Sequence, residues 1–159
     1  FRVYTSRDVR GVELGGALKN VMAIAAGACA GLGLGENTLA ALITRGLAEL
    51  ARVGAALGGE AQTFFGLSGV GDLILTCSSS QSRNRQVGEG LGRGKLLPAI
   101  LETLKGTAEG VRTARSVHQI LEEKKIEAPI LREVYLVLYE SKPPRAAVRE
   151  LMGREAKSE

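Results

Sequence analysis

One lysine stands out as a candidate for acid–base chemistry. Lys19 lies within GVELGGALKNVMAIAAGACAGLGL (residues 11–34), a stretch whose only other charged residue is Glu13. Read as a helix, this stretch is apolar or small on nearly every side, which is typical of a helix at the centre of a domain. The ammonium group of Lys19 is therefore expected either to face a cavity or to be partly desolvated, and an amine so placed can give or take a proton.

Two glycines lie one turn before this lysine. Gly15 and Gly16 lower the helix propensity, and the usual reason for such glycines is close approach by another backbone or by a ligand. A simpler interpretation is that Lys19 extends its ammonium group to a nearby surface, and the helix alone favours that interpretation. The stretch is not expected to span a membrane, because its longest apolar run, residues 21–34, is shorter than the ~18 residues that a span needs.

A second group of polar residues follows a glycine-rich run. GLSGVGDLILTC (residues 66–77) fits neither the P-loop nor the dinucleotide fingerprint, and no predicted strand precedes it. The glycines instead predict a tight entry into a short helix that begins near Asp72 and carries Thr76 one turn later.

The next helix is predicted to begin at SRNR, residues 82–85. Its free N–H groups, two arginines, the hydroxyl of Ser82 and the amide of Asn84 would suit a dianionic phosphate. An ordinary capped helix with solvated arginines fits these residues equally well, so the sequence leaves both interpretations open. GEGLGRGK (residues 88–95) predicts a flexible bend after this helix.

Helical periodicity accounts for most of the remaining chain. Amphipathic segments are expected at residues 38–59, at 96–104, from Thr107, from Pro129 and from Pro143, which makes six to eight helices and an all-α domain. In the second helix the charged face of Arg45, Glu49 and Arg52 is expected to be solvated. Residues 1–4, FRVY, predict a short strand without a partner, so a sheet is expected upstream.

Composition limits the class of partner. The 159 residues suffice for one domain with a core, and 45% hydrophobic with 24% charged residues is typical of a globular protein. A net charge of +4 favours anions, but three Tyr, three Phe and no Trp offer little for base stacking, so a small phosphorylated metabolite fits better than nucleic acid. Cys29 and Cys77 lack metal-site spacing and indicate buried thiols in a reducing compartment, and no metal site is predicted.

Five motifs together resemble one family. GVELGGALKNVMAIAAG, ALITRGLAEL, GLSGVGDLILTC, SRNR and AEGVRTA occur in the order found in the C-terminal, substrate-binding domain of NAD(P)-dependent glycerol-3-phosphate dehydrogenases. The resemblance extends from residue 1 to about residue 148. It implies a multi-helix bundle of the 6-phosphogluconate dehydrogenase C-terminal-like type over residues 7–152, preceded by the end of a Rossmann domain at 1–6 and followed by a frayed tail at 153–159.

The resemblance also implies roles for individual residues. Lys19 matches the acid–base lysine, and the motifs place two further groups around it. Residues matching substrate-binding positions are Asn20, Asp72, Thr76, Ser82, Arg83 and Asn84. Residues matching cofactor-contacting positions are Arg83, Thr107 and Glu109. The sequence departs from bacterial members at Gly106-Thr107, where a more apolar pair is usual, and it lacks the G-x-G-x-x-G motif that would bind the pyrophosphate of NAD or NADP.

The resemblance further implies an enzyme activity that needs a cofactor domain besides this chain. The family interconverts sn-glycerol 3-phosphate and dihydroxyacetone phosphate in the cytoplasm, feeding glycerophospholipid synthesis, and is commonly homodimeric. The isolated chain is expected to be inactive. The alternatives are a 6-phosphogluconate or ketopantoate type of dehydrogenase, a basic helical module that binds nucleic acid or protein, and a dimerisation domain.

Overall fold

The computed structural model describes residues 2–154, and this part of the chain forms eight α-helices and no strand. A 3-10 turn, Ala61–Phe65, and a π-helical turn, Leu67–Gly71, connect the second helix to the third. The helices are α1 Val9–Gly31, α2 Glu36–Ala56, α3 Asp72–Ser78, α4 Arg83–Gly92, α5 Leu97–Thr103, α6 Glu109–Lys124, α7 Pro129–Tyr139 and α8 Pro144–Met152. The predicted all-α class is confirmed, as are the predicted starts of α3 and α4.

Helix α1 forms the centre of the bundle. It contacts α2, α3, α4, α6 and α7, and its buried residues include Leu18, Val21, Met22 and Ile24. By length and composition alone, α1 could cross a bilayer, and it is the only described helix of which this is true. Its apolar residues instead form the core on which the surrounding helices pack, as its all-round apolar pattern predicted.

Glycines bring the backbones of α1 and α4 into contact. A Cβ atom at Gly27 of α1 would overlap the carbonyl oxygen of Arg85, and one at Gly31 would overlap the carbonyl oxygen of Glu89. Gly88 and Gly92 of α4 make the reciprocal contacts with carbonyl oxygens of α1. The flexible bend predicted at residues 88–95 is therefore wrong over residues 88–92, which belong to α4, and the chain turns only at residues 93–94. Close packing compensates for the low helix propensity of its glycines.

The predicted N-terminal strand does not form in residues 2–6, which have no regular structure. A strand needs a neighbour that accepts and donates its backbone hydrogen bonds, and the described part of the chain offers none. Phe1, the first residue of that prediction, lies outside the described residues. Val3 and Tyr4 are largely exposed.

A carboxylate holds the N-terminus of α1 to the chain after α2. Asp8 caps α1 by accepting a hydrogen bond from the N–H of Gly11 at 2.8 Å. It also accepts hydrogen bonds from the hydroxyl of Thr63 at 2.6 Å and from the N–H of Glu60 at 2.8 Å. These bonds, that from Thr63 first, lower the pKa of Asp8.

A second carboxylate caps α7 from inside the protein. Glu49 of α2 is 4% exposed and accepts hydrogen bonds from the N–H groups of Ile130, at 2.9 and 3.0 Å, and Leu131, at 3.1 Å. The sequence placed Glu49 on a solvated face, and that placement is wrong because α7 packs over it. Burial raises the pKa of Glu49 to about 7, although the two amides and the nearby Arg52 and Arg154 lower it.

The contact between α1 and α4 predicts an unusual sensitivity at one glycine. We expect Gly88→Ala to lower the free energy of unfolding by about 2–3 kcal/mol or more, because its Cβ would overlap the carbonyl oxygen of Ile24. Gly16→Ala is the matched control. No atom lies within 4 Å of a Cβ there, so stability should be unchanged or raised by up to about 1 kcal/mol. Urea unfolding of both variants checks this, and equal midpoints would contradict the packing.

Glu49 predicts a pH dependence of stability. Its pKa rises on folding from 4.5 to about 7, so the folded chain holds this proton more tightly than the unfolded chain. The free energy of unfolding should therefore fall as pH rises through that interval, by roughly 1–3 kcal/mol. Glu49→Gln should remove this fall, whereas Glu36→Gln, at the exposed start of the same helix, should keep it. Thermal unfolding at pH 5 and pH 8 measures both, and parallel profiles would contradict the assignment.

Candidate functional site

Lys19 is paired with a carboxylate and remains partly exposed. It donates a hydrogen bond to Oδ2 of Asp72, and the two side chains are 20% and 34% exposed. The hydroxyl of Thr76 donates to the carbonyl oxygen of Asp72 at 2.6 Å and lies 3.3 Å from its Oδ1. Oδ2 of Asp72 is thereby engaged by the ammonium group, and the hydroxyl of Thr76 packs beside the other carboxylate oxygen.

Both glycines before Lys19 have a visible role. A Cβ atom at Gly15 would lie 2.9 Å from the carbonyl oxygen of Ser68, so the π-helical turn approaches the backbone of α1 here. Gly16 instead borders open space, with no atom within 4 Å of its Cβ position. The sequence predicted close approach by a backbone or a ligand. The first occurs at Gly15, and Gly16 leaves room for the second.

Two asparagines link three helices beside the lysine. The side-chain N–H of Asn84 donates to Oδ1 of Asn20 at 3.0 Å, and Oδ1 of Asn84 accepts from the N–H of Gly110 at 2.9 Å. Asn20 also donates to the carbonyl oxygen of Gly16 at 3.1 Å. Asn84 is 8% exposed, so its amide works as a buried connector between α1 and the N-terminus of α6.

The N-terminus of α4 presents one arginine where two were expected. Ser82 caps the helix, its hydroxyl oxygen accepting from the N–H of Arg85 at 3.3 Å. Arg85 turns toward Glu89, one helical turn on, at 3.5 Å, and its side chain is only 18% exposed. Arg83 is exposed. The cationic group available to an anion at this helix end is therefore Arg83.

The loop before α6 lies against Arg83. Gly106 has a φ angle of 98°, and a Cβ atom there would be 2.5 Å from Nη1 of Arg83. Thr107 and Glu109 follow directly and are both exposed. A guanidinium, a hydroxyl and a carboxylate thus lie on one edge, next to the asparagine link that holds the start of α6.

The nine predicted site residues therefore gather around the middle of α1 and the N-termini of α3, α4 and α6. An ammonium donor and a fixed carboxylate lie on α1 and α3 beside the open space at Gly16, and the hydrogen bond between Asn84 and Asn20 links them to the helix N-terminus that carries Arg83. This set can bind an anion and exchange a proton with an oxygen atom of a small ligand. In the described part of the chain, no three His, Cys, Asp or Glu side chains are placed to hold a metal ion.

Sequence reasoning missed two glycines of the site. Gly110 supplies the N–H that Asn84 caps, and a Cβ there would lie 2.6 Å from the carbonyl oxygen of Asn20. Gly106 makes room for Arg83. The positive φ of Gly106 has a local signal in the sequence, since glycine favours that conformation, but the contact of Gly110 with α1 has none.

Comparison with known proteins identifies the same family as the motifs do. Residues 8–149 match the family described as NAD-dependent glycerol-3-phosphate dehydrogenase C-terminus. Across all 159 residues the chain is 57% identical to glycerol-3-phosphate dehydrogenase [NAD(P)+] of Solidesulfovibrio magneticus and 58% identical to that of Gloeobacter violaceus. It covers 48% and 52% of those proteins, so it spans about half the length of the curated relatives that it matches.

Solved structures show the same helical fold. Glycerol-3-phosphate dehydrogenase of Coxiella burnetii superposes with a TM-score of 0.93 and 44% identity over 97% of this chain and 47% of that one. The enzyme of Saccharomyces cerevisiae superposes with a TM-score of 0.84 and 32% identity over 92% of this chain and 43% of that one.

The asparagine link predicts a local and measurable defect. Asn84→Ala should leave the N–H of Gly110 and the side-chain oxygen Oδ1 of Asn20 without these hydrogen-bond partners. We expect it to lower the free energy of unfolding by roughly 2 kcal/mol. Asn84→Asp keeps the oxygen that accepts from Gly110, so its free energy of unfolding should fall by less. Hydrogen exchange of the Gly110 amide gives the specific readout. The alanine variant should exchange faster than the aspartate variant, and unchanged protection in the alanine variant would contradict the link.

Proposed function

Because this chain belongs to the NAD-dependent glycerol-3-phosphate dehydrogenase C-terminal family, we propose that it is the substrate-binding half of such an enzyme. The reaction is the interconversion of sn-glycerol 3-phosphate and dihydroxyacetone phosphate with NAD or NADP. The observation that carries this proposal is the pair of Lys19 and Asp72 beside an open helix face. The hydrogen bond between Asn20 and Asn84 links this pair to the helix N-terminus that carries Arg83. The family match favours this function over that of a 6-phosphogluconate or ketopantoate dehydrogenase.

In this proposal Lys19 is the acid and base. Reduction of the ketone requires a proton at the carbonyl oxygen, and the reverse reaction requires a base for the hydroxyl. The ammonium group has three N–H donors, and Asp72 accepts a hydrogen bond from one of them. The others can be directed at a substrate oxygen in the space beside Gly16. Asp72 and Thr76 keep the amine in place, and Asn20 contributes its amide on the neighbouring side of α1.

The phosphate of the substrate is assigned to the N-terminus of α4. Arg83 offers a guanidinium, Ser82 a hydroxyl and the helix its free N–H groups, all of which suit a dianion. Asn84 is 8% exposed and engaged on both sides of its amide, so its contribution is to hold this end of α4 against α1 and α6.

The residues beside Arg83 suit a dinucleotide. A guanidinium pairs with phosphate, while the carboxylate of Glu109 and the hydroxyl of Thr107 can hydrogen-bond ribose hydroxyls. When bound, NAD(P)H supplies the hydride. Gly106 lies against the guanidinium of Arg83, since a Cβ there would be 2.5 Å from its Nη1, so the loop that carries Thr107 contacts Arg83. We therefore assign Arg83 to both substrate and cofactor.

The remaining expectations concern the rest of the enzyme. We expect residues 7–152 to be the substrate-binding domain, preceded by a Rossmann domain that holds most of the cofactor. A homodimer located in the cytoplasm, with no role in binding nucleic acid or membranes, completes the proposal. Exposed apolar side chains in and before the helix that carries Asp72, namely Phe65, Leu67, Ile74 and Leu75, support a covering partner there.

Kinetics of a two-domain enzyme test the proposal. The chain fused to the N-terminal half of the Solidesulfovibrio magneticus relative should oxidise NADH with dihydroxyacetone phosphate, and the isolated chain should not. In the fusion, Lys19→Ala should lower kcat by about 10²–10⁴-fold, the usual contribution of a general acid. Lys95→Ala, an exposed lysine outside the site, is the control. Full turnover by Lys19→Ala would refute the role of the lysine.

The same fusion separates phosphate binding from proton transfer. Arg83→Ala should raise KM for dihydroxyacetone phosphate by about 10–100-fold, since a charge-assisted hydrogen bond is worth ~1.5–3 kcal/mol. Arg93→Ala removes an exposed arginine from the other end of α4 and should leave KM unchanged. Equal effects of the two substitutions would mean that general positive charge, and not a site at Arg83, attracts the substrate.

A further inference from the structure

An open cavity lies away from the Lys19 site. It has a volume of about 390 Å³ and is bordered by α2, the start of α7 and the end of α8, with Cys29 of α1 in its wall. Cys29 is ten residues beyond Lys19, which is about 15 Å along the helix axis. The cavity shares none of its lining with the nine predicted site residues. Small-molecule sites typically occupy ~300–1,000 Å³, so this cavity is large enough for a ligand.

The walls of the cavity are apolar and its charged groups have an excess of arginine. Leu42, Ile130, Val148, Leu151 and Met152 contribute apolar surface. The ionisable lining consists of Arg45, Arg52 and Arg154 against Glu49 and Glu127, so arginines outnumber glutamates by three to two.

The glutamates are held by groups of the protein itself. Glu49 accepts hydrogen bonds from the N–H groups of Ile130 and Leu131, and Arg154 donates to the carboxylate of Glu127. Arg52 donates one hydrogen bond to the carbonyl oxygen of Glu127 at 2.6 Å, and a guanidinium has five N–H donors in all. Arg52 therefore keeps donors for a further acceptor, whereas both carboxylates are already engaged.

We propose that this cavity binds a small amphipathic anion, with its apolar body between α2, α7 and α8 and its acidic head at Arg52. An apolar pocket with a few convergent charged groups is the usual form of a small-molecule site. Such a ligand would bridge three helices that otherwise meet along a groove, so its binding would stabilise their arrangement independently of the chemistry at Lys19.

Fluorescence of 1-anilinonaphthalene-8-sulfonate, which has an apolar body and an anionic head, tests the proposal on the 159-residue chain. We expect one equivalent to bind. Ala41→Phe should abolish binding, because Ala41 is an exposed residue of α2 that lines the cavity and its replacement fills it. Arg52→Gln should weaken binding at least fivefold. Should Ala41→Phe fail to fold, as judged by circular dichroism, Arg52→Gln alone decides.

Three controls separate this cavity from general adhesion. Leu75→Gln removes an exposed apolar side chain near Lys19, and Arg93→Gln removes an exposed arginine elsewhere; neither should change binding. Octanoate should displace the dye, and octanol, which lacks the charge, should not at the same concentration. The proposal is overturned by absence of binding, by unchanged binding in both cavity variants, by a loss in Leu75→Gln or Arg93→Gln, or by equal displacement by octanol.

Discussion

The contact between the backbones of α1 and α4 is the constraint on which the site depends. Glycines on both helices, among them Gly27 and Gly88, let the two backbones touch where any Cβ would overlap a carbonyl oxygen. That closeness places the N-terminus of α4 beside the middle of α1, so Asn84 can reach Asn20 with a single hydrogen bond. The side-chain oxygen of Asn84 also accepts a hydrogen bond from the N–H of Gly110, which holds the start of α6 in place. Helix packing thereby links the neighbour of Arg83 to the neighbour of Lys19.

Buried and partly buried polar groups complete the arrangement of the helices. Asp8, Glu49 and Asn84 each satisfy backbone N–H groups at a helix N-terminus, and the last two do so across a large distance in sequence. A helix start without such partners would carry the cost of unpaired amides in the interior. The same side chains therefore stabilise the bundle and set the directions in which its helix ends point. Position at the site and stability of the fold are coupled here through shared hydrogen bonds.

The proposed function makes this chain one part of a dehydrogenase site, which a second domain would complete and close. Lys19 is held by Asp72 yet stays partly open, and the exposed edge beside Arg83 offers groups for a dinucleotide. The apolar residues around α3 would lose contact with water when another domain covers them, which favours closure over the substrate. The cavity near Cys29 lies at the far end of α1, so a ligand there would act on the bundle and not on the reacting atoms.

The sequence by itself determined the all-α class, the starts of α3 and α4, the central position of α1 and, through its motifs, the family. These features follow from helical periodicity, local caps and residue order, and all three can be read from residues close together in the sequence. Only the tertiary structure decided that α4 continues through Gly88, that Arg85 turns away from the site and that Glu49 is buried. The amides bonded by Glu49 lie 81 and 82 residues away. The expected N-terminal strand failed for the same reason, because the partner that stabilises a strand is not encoded in the strand itself.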